Sequence, residues 1–284
     1  MLNSLKTVAL LGVLSSVLLL GGRMVGGKNG LMLGLGLAIA MNFFSYFFSE
    51  KMALKMSGAQ PVTPESHPEI YRRIEPMTRR LTERMGLPMP RLWVTPEDTP
   101  NAFATGRNPA HSSVAVTYGL VKMMSDRELE GVIAHELGHV LNRDILISSM
   151  AATIGSAISF VGQMGYYFGG SRDDEEGGRG GGMVGGLVMM LVAPMAAMVI
   201  QMAISRTREF GADAAAAKYT GSPDGLISAL GKLDSAGRRM PMDAPPATAH
   251  MYIMKQFGGG AMSRLFSTHP ATEDRVAALE RLRS

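Results

Sequence analysis

The apolar residues of this chain fall into long uncharged runs and shorter amphipathic stretches. The uncharged runs cover residues 7–22, 29–49, 145–171 and 180–205. The last three are longer than the roughly 18 residues that mark a membrane-spanning helix. The first is short enough for a signal-peptide core, yet no small-x-small cleavage site follows it, so it is predicted to remain as an anchor. The pattern therefore predicts four transmembrane helices in two hairpins.

The charges beside these runs predict which side of the membrane the rest of the chain occupies. Four spans leave residues 51–144 and 206–284 on the same side as the N-terminus. Basic residues flank the spans on that side, namely Lys6, Lys51, Lys55, Arg206 and Arg208. The connection Ser171–Gly182 has two arginines against four acidic residues. The positive-inside rule then favours a cytoplasmic domain, although Arg23 and Lys28 oppose it locally.

Between the hairpins the pattern becomes that of a small α+β domain. Residues 64–86 are amphipathic at helical spacing and end at Gly86. Residues 91–94, 102–105 and 113–117 are short and strand-like, separated by Pro, Asn and Gly. A capping box at residues 125–128 predicts a second helix that begins at Asp126. The apolar residues of this helix recur at helical spacing and should face a core. They are Leu129, Val132, Ile133, Leu137, Val140 and Leu141.

This second helix carries His135-Glu136-Leu137-Gly138-His139. Residues four apart share a helix face, so the two histidines can bind one Zn²⁺ while Glu136 is turned toward the water that the metal activates. A carboxylate there can take a proton from water and pass it to a leaving amine, which is peptide-bond hydrolysis. The alternative is two ordinary polar residues on a helix flank. The capping box, the apolar stripe and Gly138, which permits close approach, favour the zinc site.

The third zinc ligand does not follow from this motif alone. Position 142 is asparagine and position 145 is isoleucine, so the extended metzincin pattern is absent. His250, His269 and acidic residues are candidates, of which Glu209 is the most informative. Asp213 lies four residues after Glu209 in an alanine-rich, helical stretch, so one carboxylate can bind metal while the other orients a ligand histidine. A transmembrane hairpin between residues 145 and 205 would bring Glu209 back to His139 at one membrane surface.

Two further segments carry candidate substrate contacts. The segment Asn101-Ala102-Phe103-Ala104 is a candidate edge strand along which an extended peptide could pair, although a closed structural hairpin fits equally well. His269 could donate a hydrogen bond to the oxyanion of the tetrahedral intermediate, but its spacing is more typical of a surface histidine near a helix start. The helix after it contains Arg275.

Composition agrees with a membrane protein that includes one soluble domain. Hydrophobic residues make up 46% of the 284 residues, and there are 34 glycines and no cysteine. The absence of cysteine excludes a disulfide framework and fits a reducing compartment. The excess of 28 basic over 24 acidic residues is too small to favour nucleic acid, and no nucleic-acid motif is present.

The chain is therefore predicted to be an α+β membrane protein with a zincin-like metallopeptidase domain on a four-helix anchor. Residues 1–50 hold two N-terminal spans, and residues 51–144 form the first part of the peptidase domain. Residues 145–205 form the second hairpin, and residues 206–284 complete the peptidase domain.

These residues together resemble the HtpX-type membrane zinc metalloproteases, relatives of the CAAX prenyl endopeptidases. The resemblance rests on two N-terminal spans, Asn101-Ala-Phe, His135-Glu-x-x-His139 followed by Asn142-Arg-Asp, Glu209-x-x-x-Asp213, and His269-Pro with Arg275. It implies one Zn²⁺ per subunit. The ligands would be His135, His139 and Glu209, with Glu136 as general base and His269 stabilising the transition state. Asp213, Asn142 and Arg275 would support the ligands, and Asn101, Ala102 and Phe103 would contact substrate.

The family further implies an inner-membrane heat-shock protease that faces the cytoplasm, degrades misfolded membrane proteins and cleaves itself. Two alternatives stay open from the residues. One is a protease that cuts inside the bilayer, which the charges on both sides of the motif oppose because burying them in hydrocarbon costs several kcal/mol. The other is a catalytically silent membrane scaffold, which metal content would distinguish.

Overall fold

The computed structural model describes residues 2–147, 206–239 and 270–283. In this part of the chain a mixed sheet packs against a set of helices. The helices are α1 (Leu2–Met56), α2 (Pro68–Met85), α3 (Tyr118–Met123), α4 (Asp126–Leu141), α5 (Arg206–Thr220), α6 (Asp224–Arg239) and α7 (Thr272–Glu280). The strands are β1 (Gln60–Pro61), β2 (Arg91–Thr95), β3 (Ala102–Asn108) and β4 (His111–Thr117).

Helix α1 folds back on itself. Gly27 has a positive φ of 56°, which interrupts the helical direction at a residue without a Cβ. Ser15 lies before Gly27 in the chain and Asn42 lies after it, yet the Asn42 side-chain amide donates to the Ser15 hydroxyl at 2.8 Å. A straight helix would separate these residues by about 40 Å at 1.5 Å per residue, so the two halves run antiparallel. The bend lies between the first two predicted spans, 7–22 and 29–49.

Within the described residues, no single helix has the length and hydropathy of a membrane span. One bent pair of segments, Gly27–Phe44 and Tyr46–Met56, meets both criteria jointly, with an angle of 66° between them. The four-helix anchor predicted from the sequence is therefore not confirmed. Residues 148–205 of the predicted second hairpin lie outside the described residues.

The sheet has the strand order β1-β2-β4-β3. Strands β2 and β4 run parallel, whereas β1 pairs antiparallel with β2 and β3 pairs antiparallel with β4. The three predicted strands are thus confirmed with slightly wider bounds. The two-residue strand β1 is an addition, since it is too short to show a periodic pattern.

The end of α1 is fastened to this sheet by polar and apolar contacts. Ser113 on β4 donates from its hydroxyl to Glu50 at 2.6 Å, and the Trp93 indole donates to Ser113 at 3.0 Å. Leu54 packs against Phe103 and the neighbouring sheet residues in a small apolar cluster. The sheet therefore has α1 against one face.

Helix α4 runs through the centre of the domain. It starts at the predicted residue, because the capping box between Ser125 and Glu128 is formed in both directions. Leu129, Val132, Ile133, Leu137 and Val140 are buried as predicted. The flank that carries His135 and Glu136 is also buried, because α5 covers His135 and strand β3 contacts Glu136. The sequence pattern showed one apolar stripe, whereas the structure encloses the helix on both sides.

The other helices agree with the predicted segments. Helix α2 begins at Pro68, four residues later than predicted, because residues 63–66 form a hydrogen-bonded turn before it. It ends at Gly86, which adopts the left-handed conformation with φ of 66°. Glu209 lies in α5 and Arg275 in α7, both helical as expected.

Glu128 also ties α4 to α6. Its carboxylate accepts hydrogen bonds from Ser228 at 2.6 Å and from Lys232 at 2.7 Å. Burial alone would raise its pKa, but these bonds and the Ser125 contacts lower the pKa to about 2. The ordinary carboxyl value is 4.5, so this contribution to stability is complete above pH 4.5 and is lost as the pH falls toward 2.

We predict that Glu128→Gln lowers the free energy of unfolding at pH 7 by about 1–3 kcal/mol, because it removes charge-assisted hydrogen bonds and weakens the helix cap. Denaturant unfolding of the purified protein in detergent at pH 7 and pH 3 measures this. The difference from the parent protein should shrink at the lower pH. Glu130→Gln is the control, since Glu130 pairs with the exposed Arg80 at 3.3 Å. An equal loss in both variants would contradict the assignment.

Candidate metal centre

Two imidazole nitrogens meet on the buried side of α4. The Nε2 atoms of His135 and His139 are 3.2 Å apart, and the ring planes are nearly perpendicular at 85°. Their four-residue spacing on the helix produces this approach. His135 is 1% exposed, whereas the side chain of His139 is 16% exposed, so the pair opens toward solvent on the His139 side.

Glu209 adds a carboxylate from α5. Its oxygens lie 3.6 Å from His135 Nε2 and 3.6 Å from His139 Nε2. A tetrahedral Zn²⁺ with bonds near 2.0–2.1 Å separates its ligand atoms by about 3.3 Å. The three side chains therefore fit a single zinc ion. Among the described residues, they form the cluster of possible metal ligands whose donor atoms lie close enough together to share one ion. The sequence left His250 and His269 open as third ligands, and both lie outside the described residues.

The close contact between α4 and α5 brings these donors together. A Cβ on Gly138 would lie 2.9 Å from the Cα and 3.0 Å from the carbonyl oxygen of Ala212. Backbone atoms cannot move aside as a flexible side chain does, so only glycine permits this separation. The sequence interpretation of Gly138 as a residue for close approach is confirmed.

His135 is held from behind by a buried ion pair. Its Nδ1 lies 2.9 Å from Asp213 Oδ1, and Arg275 donates to both oxygens of Asp213 at 2.6 and 2.9 Å. Burial raises the pKa of Asp213, but Arg275 and His135 more than offset this and lower it to about 2. An ionised Asp213 that accepts a hydrogen bond from Nδ1–H fixes the tautomer of His135 whose unprotonated nitrogen is Nε2, the atom that lies next to Glu209 and His139.

His139 has a corresponding carboxylate in Asp144, the last residue of the Asn142-Arg-Asp motif, to which the sequence assigned no role. Asp144 Oδ1 lies 3.1 Å from His139 Nδ1, and Asp144 is 1% exposed. A signal was present, because an aspartate lies immediately beyond the helix that carries the motif. Its return to His139 depends on the turn that ends α4, which the sequence alone did not indicate.

Protonation of the histidines is favoured in this arrangement. Burial and the charge of Arg275 lower the pKa of His135, yet hydrogen bonds to Asp213 and Glu209 outweigh them and raise it to about 9. Burial lowers the pKa of His139, but Asp144 and Glu209 produce a net increase. The centre thus attracts positive charge, as the donor set of a cation site should.

Glu136 is 3% exposed and lies near both candidate ligand histidines and the Ala104 backbone of strand β3. Burial raises the pKa of its carboxyl group, while the two histidines and a hydrogen bond from the Ala104 backbone amide oppose the increase. A carboxyl group whose pKa is raised holds a proton more readily, which suits it to carry a proton during catalysis.

The remaining predicted residues are placed as follows. Asn101, Ala102 and Phe103 are buried at the start of β3, the last strand in the described sheet order, and Phe103 packs toward α1. Asn142 caps the end of α4, with its side chain next to Gly211 of α5. His269 lies outside the described residues. Substrate and support roles for these residues stay predictions.

Comparison with known proteins identifies the family. Residues 64–283 match the family described as peptidase family M48, which is more than half of the chain. The chain belongs to peptidase family M48. This M48 chain is a metalloprotease, and its metal is zinc, for which the donors His135, His139 and Glu209 are suited.

The similarity to curated relatives extends over nearly the whole M48 chain. A protease HtpX homolog from Pelotomaculum thermopropionicum is 49% identical over 281 residues, which cover 98% of each chain. Another from Ralstonia pickettii is 48% identical over 282 residues, covering 98% of this chain and 96% of the relative. The resemblance to HtpX-type proteases inferred from the motifs is therefore confirmed.

The fold is similar to that of a solved structure. A crystal structure of Ste24p from S. mikatae matches with a TM-score of 0.50 and 18% sequence identity. The match covers 98% of this M48 chain and 62% of that longer protein. It shows a shared fold.

We predict that Gly138→Ala separates α4 from α5 and destabilises the protein by about 1–3 kcal/mol, because the added methyl group meets backbone atoms. Zinc affinity should fall as well, since Glu209 moves with α5. Chelator competition and denaturant unfolding measure the two effects. Gly231→Ala is the matched control, because a Cβ there meets nothing within 4 Å on the surface of α6. In Gly231→Ala the free energy of unfolding should increase by about 0.5–1 kcal/mol. A loss of stability in Gly231→Ala without one in Gly138→Ala would contradict the close packing of Gly138.

Proposed function

We propose that this M48 peptidase is a membrane-bound zinc endopeptidase with His135, His139 and Glu209 as ligands and Glu136 as general base. The observation that carries the proposal is that the two imidazole Nε2 atoms lie 3.2 Å apart and each lies 3.6 Å from one of the two Glu209 carboxylate oxygens, close to the edge length of a zinc tetrahedron. Three protein ligands leave a fourth position for water or a substrate carbonyl, which distinguishes a catalytic from a structural site.

Zinc in this position supplies a Lewis acid that lowers the pKa of water and polarises a peptide carbonyl. The chain's own groups do the rest. Glu136 takes the proton from the attacking water at its carboxylate and delivers it to the leaving amine. The Ala104 amide holds Glu136 by a hydrogen bond, which keeps its carboxylate beside the ligands. His269 is proposed to stabilise the oxyanion, as the family resemblance implies.

The substrate and location follow from the resemblance and from the surface of α1. Several large apolar side chains of α1 are exposed, including Met32 at 63%, Leu33 at 67% and Phe43 at 59%. A lipid environment would cover such side chains. We infer a multi-pass protein of the bacterial inner membrane whose active site faces the cytoplasm. Its substrates are proposed to be misfolded membrane proteins and, by self-cleavage, its own chain.

A site inside the bilayer is the less favoured alternative. Charged residues lie at both ends of α4, with exposed Arg127 and the pair Arg80–Glu130 near its start and exposed Arg143 just after its end. Placing them in hydrocarbon would cost several kcal/mol. A site just outside the lipid avoids that cost.

Glu136→Gln tests the general base. The variant keeps the shape of the side chain but cannot accept a proton, so cleavage of unfolded casein in detergent should fall by at least about 100-fold while one zinc per chain is retained. Metal analysis and a proteolysis assay on the same preparation measure both. Glu130→Gln, on the same helix, should retain parental activity. Substantial turnover by Glu136→Gln would remove Glu136 as the base.

Glu209→Ala tests the third ligand. Loss of one of three protein ligands should weaken zinc binding by at least about 100-fold, as measured by competition with a chelator of known affinity. Glu130→Ala serves as the carboxylate control away from the site. Unchanged zinc affinity in Glu209→Ala would direct the search to His250 or His269.

A further inference from the structure

The end of α4 has a specific turn geometry. The Arg143 amide donates to the Val140 carbonyl at 3.1 Å, and the Asp144 amide donates to the His139 carbonyl at 3.2 Å. These two bonds form a Schellman motif, in which the residue after the helix cap is left-handed. That residue is Arg143, with φ of 57°, at a position where glycine is usual. A side chain is tolerated there at a cost of about 1–2 kcal/mol.

The turn brings both the backbone amide and the carboxylate of Asp144 into contact with His139. Its amide binds the His139 carbonyl, and its carboxylate oxygens lie 3.1 and 3.3 Å from His139 Nδ1. The backbone of His139 and its ring are thus both held by one residue. With Nδ1 donating to Asp144, the Nε2 lone pair points toward Glu209 and His135.

A second element supports the turn from the other side. Arg208, immediately before Glu209 in α5, has its Nη1 atom 3.5 Å from the Asp144 carbonyl oxygen. Asp144 and Arg208 lie close to the two ends of the stretch 148–205 that separates the α4 ligands from Glu209 in sequence. The turn that holds His139 therefore also contacts the element that provides the third donor.

We propose that the Schellman turn at Asn142–Asp144 is a positioning device for the zinc centre, with Asp144 as the positioning residue of His139. The inference rests on the proposed zinc function of His135, His139 and Glu209. It adds a structural reason for the left-handed Arg143: the strained conformation places a carboxylate behind the more exposed of the two histidines, whereas the buried His135 is held by Asp213 from another helix.

The carboxylate is tested by measuring zinc affinity in Asp144→Ala and Asp144→Asn. Removal of a group that orients a ligand histidine weakens metal binding by about 10–100-fold. We expect that loss in Asp144→Ala and a smaller one in Asp144→Asn, whose amide oxygen still accepts from Nδ1. Asp126→Ala, at the exposed start of the same helix, is the control and should bind zinc as the parent does. Parental affinity in Asp144→Ala would overturn the proposal.

The turn geometry is tested separately with Arg143→Gly and Arg143→Val. Both remove the arginine side chain, but only glycine adopts the left-handed conformation without strain. Arg143→Gly should keep zinc affinity, whereas Arg143→Val should lose about tenfold. Equal affinities in the two variants would show that the turn does not position His139. This comparison decides the question even if Asp144→Ala does not fold.

Two further measurements separate the possible failures. Unfolding of each protein after zinc removal reports stability independently of metal, and a purely structural role of Asp144 would lower it without changing the zinc dissociation constant. Zinc stoichiometry of the parent protein and of Glu209→Ala tests the centre itself. A parent that does not bind zinc contradicts the proposed function, whereas a parent that binds zinc as tightly as Asp144→Ala contradicts only the positioning role.

Discussion

The proposed metal centre depends on one close contact between two helices that are far apart in sequence. Helix α4 supplies both histidines and Glu136, while α5 supplies Glu209 and Asp213. Gly138 lets the α5 backbone at Ala212 approach closely enough for one cation to reach ligands on both helices. A larger residue at position 138 would separate the ligands by more than a coordination sphere can absorb, because zinc bonds vary by only a few tenths of an ångström.

That contact concentrates charge in a buried space. When Glu136 is ionised, the carboxylates of Glu136, Asp144, Glu209 and Asp213 face the guanidinium groups of Arg275 and Arg208, which leaves two negative charges if both imidazoles are neutral. A divalent cation balances this remainder. The pKa of both histidines is raised for the same reason: without a metal ion, protons on the imidazole rings would balance the negative charge of the carboxylates. With His135 and His139 as the proposed ligands, zinc and protons would compete for these nitrogens, and metal binding would release any proton they carry.

The features predictable from sequence were those determined within a few residues. The start of α4, the stop at Gly86 and the His135–His139 pairing follow from capping chemistry and helical periodicity. Glu209 was only one candidate among several, because its role requires a tertiary contact that spacing does not encode. The contact between Asp144 and His139 was not predicted for a different reason: it needs a left-handed residue, and arginine at position 143 does not predict one. The predicted membrane anchor also differs from the structure: hydropathy indicates membrane spans, whereas no single helix among the described residues meets the criteria for one.

The placement of β3 connects the membrane-directed and catalytic parts of the proposal. Phe103 packs toward Leu54 near the end of α1, while the amide of the next residue, Ala104, binds Glu136. Adjacent residues of one strand thus contact α1 and the proposed general base. Because a strand between two packed elements cannot shift toward one without losing contact with the other, the position of Glu136 is tied to that of α1. The Glu50–Ser113 hydrogen bond fixes the same end of α1 to β4. The apolar α1, which is proposed to contact lipid, and the buried carboxylate of Glu136 are in this way held by a single small sheet.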